Sequence, residues 1–173
     1  MLKLVTPNYR VFRVWELTPE RLQGWGLCGL MLDVDCTLAR YRSGEPLPEV
    51  ATWLGQLRAA DFRLCLVSNG MGPRIEEFAR RVDLPFIAQA LKPLPLGIWR
   101  AVKVLDRPPS QLAIVGDQLF ADVMAGRLAG VRSILVEPIH PEEEPWYTRL
   151  KRLVERPLLA RSASVAQSKC VGE

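Results

Sequence analysis

The run Gly29-Leu30-Met31-Leu32-Asp33-Val34-Asp35-Cys36-Thr37-Leu38 restricts this chain more than any other stretch. It opens apolar, the pattern of a strand buried on both faces of a sheet. It then places two carboxylates, Asp33 and Asp35, where that strand ends. Strand side chains alternate, so the two Cβ atoms share a side for as long as the extended geometry persists. Two acids that close raise each other's proton affinity and are costly to bury without a cation. A hard divalent ion such as Mg²⁺, which takes oxygen ligands, removes the conflict. The stretch therefore reads as a carboxylate–metal centre at the carboxyl edge of a sheet, where open α/β folds bind ligands. The alternative is a solvated Asp-x-Asp turn behind a core strand.

Three further stretches favour the metal centre. Leu64-Cys65-Leu66-Val67-Ser68-Asn69-Gly70 is a second apolar strand ending in a hydroxyl and a turn. Ala90-Leu91-Lys92-Pro93 offers a lysine in a loop. Leu112-Ala113-Ile114-Val115-Gly116-Asp117 is a third apolar strand, and Asp122 follows about one helical turn later. Taken singly, Ser68 reads equally as a turn residue, Lys92 as a surface lysine and Asp122 as a helix first-turn acid. The ordered set resembles the haloacid dehalogenase superfamily of phosphotransferases. A response-regulator receiver domain also clusters Asp, Ser/Thr and Lys-Pro, but there the acids precede the lysine. Here Gly116-Asp117 follows Lys92.

The resemblance implies a role for each residue. Asp33 is the nucleophile, forming an aspartyl phosphate. Mg²⁺ is held by the Asp33 carboxylate, the Asp35 backbone carbonyl and Asp117. Lys92 supplies a second positive charge. The Ser68 hydroxyl, with the backbone N–H groups of Asn69 and Val34, binds the phosphate. Asp122 steadies the ion through water or orients Lys92. Asp35 protonates the leaving oxygen and then activates water. That second acid favours phosphate-ester chemistry over the ATPase and dehalogenase branches.

The chain is similar, more narrowly, to the YqeG-type capless subclass IIIA phosphatases and to phosphatidylglycerophosphate phosphatases. The likeness includes Thr18-Pro19-Glu20, Trp53-Leu54, Pro85 to Pro93, Gly116 to Val123 and Glu155-Arg156. Cys36 and Gly70 depart from it, Asn being usual at both. Spacing agrees with a capless site: 32 residues separate Asp35 from Ser68, and 23 separate Ser68 from Lys92. A cap with a core of its own needs roughly 50. The substrate implied is phosphatidylglycerophosphate, an anionic phospholipid. A soluble sugar phosphate, nucleotide or phosphoprotein is the alternative substrate, and a non-catalytic membrane-associated scaffold is a further reading.

At 173 residues with a net charge of +4, the chain suits one domain and an anionic substrate or surface. No nucleic-acid partner is expected. The four cysteines show no paired spacing, Cys28 and Cys65 lying in apolar strands, and His140 is the only histidine. That pattern excludes a disulfide frame, a zinc cluster and a histidine triad. No run of about 18 apolar residues suggests a spanning helix, and the first residues lack a signal-peptide core. The expected location is cytoplasmic, with peripheral contact on the inner face of a membrane.

Strands alternating with helices predict an α/β three-layer Rossmann-like fold: a mostly parallel five-stranded sheet, helices on both faces and no cap domain. Residues 1–25 read as an arm packing on the core, with membrane contact through its basic and aromatic residues as the alternative. Residues 26–159 read as the phosphatase domain and 160–173 as a disordered tail. A basic amphipathic helix is expected over Trp146–Glu155, covering a sheet edge or lying on a membrane. In the helix opened by Gly72-Pro73, Ile75 and Phe78 are expected inward, and Arg74, Arg80 and Arg81 outward.

Overall fold

A computed structural model of the chain describes residues 2–143. Its sheet contains β1 Tyr9–Val11, β2 Gly29–Leu32, β3 Arg63–Val67, β4 Phe86–Ile87, β5 Leu112–Gly116 and β6 Arg132–Val136. The spatial order is β1-β6-β5-β2-β3-β4, and every pairing is parallel. The helices are α1 Pro19–Gly24, α2 Pro48–Ala59, α3 Gly72–Val82, α4 Leu96–Leu105 and α5 Met124–Ala129.

The apolar strands divide their side chains between two cores, as a sheet covered on both faces must. Leu30, Leu32, Leu64, Leu66, Ala113 and Val115 pack with Leu22, Trp53, Leu57, Ile75 and Phe78, from α1, α2 and α3. Met31, Cys65, Val67, Leu112 and Ile114 pack with Ile98, Ala101, Leu105 and Ala125, from α4 and α5. The expected three layers are present, and no cap module occurs among the described residues.

The sheet has six strands rather than five. The extra strand, β1, comes from the N-terminal arm and pairs with β6 from Tyr9–Ile134 to Val11–Val136. It is short, sits at an edge and is interrupted by Arg10, so it lacks the apolar run that betrays an interior strand. The arm is tied down further along. Val14 and Leu17 are buried, and the Trp53 indole donates to the Leu17 carbonyl at 2.8 Å. Tyr9 and Trp25 stack with ring centroids 3.7 Å apart.

Local sequence explains the helix ends. Thr18 accepts the Arg21 N–H at 3.3 Å, with Pro19 at the first helical position of α1. Gly130 ends α5 at φ 77°, a left-handed stop that glycine adopts without strain. The segment that leads into α5 is a π turn, Leu119–Val123. Single π turns inside helices recur at functional sites. The basic helix expected over Trp146–Glu155, the tail and Cys170 lie outside the described residues. Among the described residues, no helix is long and apolar enough to cross a membrane.

Candidate active site

Strand register assembles the site. Leu32 of β2 lies beside Val115 of β5 on one side and Leu66 of β3 on the other. The next residues along, Asp33, Gly116-Asp117 and Val67-Ser68, therefore leave the sheet together at its carboxyl edge. Asp33, Asp35, Ser68, Asn69, Lys92 and Asp122 all line one cleft of about 620 Å³, with Tyr41, Arg42, Met71 and Arg74 on its walls.

Lys92 is the hub. Its Nζ donates to Asp33 Oδ1 at 2.7 Å, to Asp122 Oδ1 at 2.6 Å and to the Val67 carbonyl at 2.8 Å. All three donors of the ammonium are thus engaged. The loop carrying it is pinned by Asn69, whose side chain accepts the Lys92 N–H at 2.8 Å and donates to the Lys92 carbonyl at 2.9 Å. The Asn69 side chain thus holds the lysine loop. Ser68 is buried and accepts the Gly70 N–H at 3.1 Å, a turn contact that fixes its hydroxyl at the cleft.

The second carboxylate oxygen of Asp122, Oδ2, accepts the Gln118 N–H at 3.1 Å. Its approach to the strand end requires glycine at position 116, where a Cβ would stand 2.2 Å from Asp122 Cγ. Asp33, Asp117 and Asp122 each present a carboxylate oxygen, all within 4.8 Å of one another and all buried. The Thr37 hydroxyl donates to Asp117 Oδ1 at 3.4 Å.

Asp35 stands apart from that trio. Extended geometry stops at Leu32, and the chain turns, so the Asp35 side chain does not join the Asp33 carboxylate. Arg74 binds it with both nitrogens, Nη1 to Oδ1 at 3.0 Å and Nη2 to Oδ2 at 2.5 Å, and the Arg42 N–H adds a third contact at 2.8 Å. Arg74 was expected to point outward from α3. Its position at the helix N-terminus instead brings it over the strand ends, which a helical-face projection does not reveal. Gly70 makes room for it: a Cβ there would meet Arg74 Nη2 at 2.6 Å.

Cys36, the other departure, has φ 62° and is buried. Left-handed backbone favours glycine or asparagine, which accounts for the residue usual in relatives.

Burial pushes the Asp33 carboxyl well above the ordinary carboxylate range; Lys92 pulls against that, and Asp122 and Asp117 add to it. Burial works to lower the Lys92 ammonium, yet Asp122 and Asp33 outweigh it and hold it above its usual value. We take Lys92 as charged, because its three donors are all accepted. Three buried carboxylates then face one ammonium. A divalent oxygen-seeking cation fits this donor set, since it offsets the excess negative charge and accepts only oxygen ligands here. Asp33, Asp117 and Asp122 present the carboxylate oxygens suited to hold it.

Comparison with known sequences gives the class to which this fold and carboxylate–lysine constellation belong. A model of the haloacid dehalogenase-like hydrolases matches residues 18–130. The chain belongs to that family. It is 30% identical over 158 residues to the probable phosphatase YqeG of Bacillus subtilis, covering 91% of each. It is 40% identical over 169 residues to phosphatidylglycerophosphate phosphatase 1, chloroplastic/mitochondrial, of Arabidopsis thaliana, and spans about half of that relative, 48%. A Chlamydomonas reinhardtii chloroplastic protein of the same name is 27% identical over 170 residues, 93% of this chain and 63% of the relative. Among solved structures, a cobalt-bound deoxy-D-mannose-octulosonate 8-phosphate phosphatase from Haemophilus influenzae superposes with a TM-score of 0.53 at 14% identity, over 80% of this chain and 90% of that one. At that identity it shows a shared fold alone.

Proposed function

We propose that this chain removes the terminal phosphate of phosphatidylglycerophosphate, with Mg²⁺ as cofactor and Asp33 as nucleophile. The observation that carries the chemistry is the buried Asp33–Lys92–Asp122 chain at the carboxyl edge, with Asp117 beside it. The lipid substrate is supported by relatives named for that reaction.

Lys92 holds one oxygen of Asp33, which orients the carboxylate toward the cleft. The other oxygen attacks phosphorus, the bond to the glycerol oxygen breaks, and an aspartyl phosphate forms. Asp35 gives its proton to the departing alkoxide and then takes one from the water that releases phosphate. Arg74 occupies both Asp35 oxygens in the structure, so it must yield at least one before that transfer. Asp33, Asp117 and the Asp35 carbonyl would hold Mg²⁺, which when bound would supply positive charge against that spreading over the phosphoryl oxygens. Ser68 and the Asn69 and Val34 N–H groups complete the cradle, with Lys92 as a nearby positive charge. The enzyme acts as a peripheral protein on a membrane face.

The test is phosphate release from phosphatidylglycerophosphate in mixed micelles with Mg²⁺, against a soluble aryl phosphate. Faster turnover of the lipid is expected. Release no greater than from the aryl phosphate would reject the lipid and favour a soluble ester.

A further inference from the structure

We infer that the loop after β4 and the first turns of α4 form a docking face for an anionic bilayer. The inference deepens the lipid-phosphatase reading and rests on it for its biological sense, though not for its test.

Four large apolar side chains are left in solvent along one short stretch. Leu91 is 59% exposed, Leu94 52%, Leu96 47% and Trp99 48%. They fall close together along the chain, on a turn closed by the Leu94 backbone N–H to the Leu91 carbonyl at 2.9 Å and on the first turn of α4, where the Trp99 backbone N–H donates to the Pro95 carbonyl at 2.9 Å. Leu91, Leu96 and Trp99 line a groove of about 380 Å³ with Gln89, Arg100 and Lys103. Scattered exposed apolar residues need no explanation, but a contiguous patch marks an interaction surface.

Position selects the partner. Every strand is parallel, so the residues after β4 emerge at the same edge as the catalytic cleft. Leu91 is the neighbour of Lys92, whose ammonium reaches Asp33. The Gln89 N–H donates to Gly70, tying this face to the loop of Met71, itself 73% exposed on the cleft wall. Leu91 sits at φ 57°, a costly conformation for leucine. It turns the leucine out while the next residue turns in.

Charge selects the lipid. The groove carries two cations, Arg100 and Lys103, and no carboxylate. Tryptophan and leucine beside lysine and arginine make the composition of a surface that sits at headgroup depth on negative lipid. The N-terminal arm buries Val11, Val14 and Leu17; its exposed large apolar side chains, Phe12 at 60% and Leu4 at 38%, do not line the groove. A bilayer held by the β4–α4 face lies against the open cleft and presents a headgroup phosphate to Asp33 without extracting the lipid.

Co-sedimentation of the full chain with phosphatidylglycerol–phosphatidylcholine vesicles, against pure phosphatidylcholine, tests this. Wild type is expected to partition to the anionic vesicles and to be released by salt. L94Q/W99Q is expected to lower that partition at least tenfold, and so is the charge reversal R100E/K103E, which alters only exposed side chains and keeps the fold. Both are expected to hydrolyse a soluble aryl phosphate at the wild-type rate. Unchanged partition in either folded variant overturns the inference. Absence of wild-type partition overturns it too, as does a size-exclusion shift showing that the patch joins two copies or receives residues 144–173. Vesicle binding without phosphatidylglycerophosphate hydrolysis would sink the substrate reading and leave the face standing; lipid hydrolysis in micelles without vesicle binding would do the reverse.

Discussion

Adding one methyl group, Gly116→Ala, tests whether Asp122 and Lys92 act as a fixed pair. The new Cβ would stand 2.2 Å from Asp122 Cγ, 2.3 Å from Oδ2 and 2.7 Å from Cβ. Ordinary carbon contacts lie at about 3.5–4.0 Å, so Asp122 must retreat by roughly 1.3 Å. It is not free to do so, held by Lys92 at 2.6 Å and by the Gln118 N–H at 3.1 Å. Overpacking of this kind costs about 1–3 kcal/mol. For a chain of this size, at roughly 2–4 °C per kcal/mol, that lowers Tm by about 2–12 °C. A shift of about 1 Å at a catalytic constellation costs on the order of 100-fold in rate. Mg²⁺-dependent hydrolysis of p-nitrophenyl phosphate and a thermal melt read both. In an Asp122→Ala background only the Cβ contact remains, so the second substitution should cost about 1 kcal/mol less. Wild-type kcat and Tm in Gly116→Ala would refute the idea that Asp122 positions the lysine from a fixed place.

Arg74→Ala removes a bidentate pair to Asp35 that is partly exposed, so stability should barely change. If Arg74 moves from Asp35 to a substrate anion, its loss raises KM for the doubly phosphorylated lipid by roughly tenfold or more, with little effect on an aryl phosphate; equal KM changes for both would refute the transfer. Asp35→Asn should cut turnover by about 10²–10⁴-fold while Mg²⁺ affinity, measured calorimetrically, stays near wild type; wild-type rates would remove its acid–base role. Burial pushes the Cys65 thiol up to about 12 from its usual 9.0. The unfolded chain therefore loses this proton first, and stability falls from pH 9 toward 12, by about 1.4 kcal/mol per pH unit. Urea melts of wild type against Cys65→Ala read the difference, and identical slopes above pH 9 would count against it.

The interior of the fold was legible because its signals are local. Apolar runs such as Leu30–Leu32 and Leu112–Val115 end in the functional residues, and register then does the assembly. The alternation of strands and helices sufficed for the parallel order. Contacts that depend on a bend escaped. β1 was missed because an edge strand needs only Val11 in the core. Arg74 was misread because a helical projection carries no information about what lies beyond the helix end. The hold of the Asn69 side chain on the lysine loop escaped as well, since residue type and adjacency to Ser68 do not reveal a side chain turned back on a loop. Arg42 contributes through its N–H alone, a role that no residue-type argument reveals.

One ammonium explains why site and stability are joined here. Lys92 Nζ links the end of β2 through Asp33, the end of β3 through Val67 and the π turn after β5 through Asp122. Asn69 adds the loop after β3 to the same knot. A buried charge so placed is held by its partners, and removing it strands two carboxylates away from water. Lys92→Met preserves the length and the packing of the stem, so any large loss is electrostatic. It should destabilise the chain by about 3–5 kcal/mol without added metal. High Mg²⁺ should restore part of that loss, because a bound cation stabilises only the folded state and answers the same excess charge. Recovery of Tm without recovery of activity is the expected split, since Mg²⁺ can replace the lysine's charge but not its hold on Asp33. A folded, fully active Lys92→Met enzyme would show that the hub is dispensable and that the carboxylates find their places unaided.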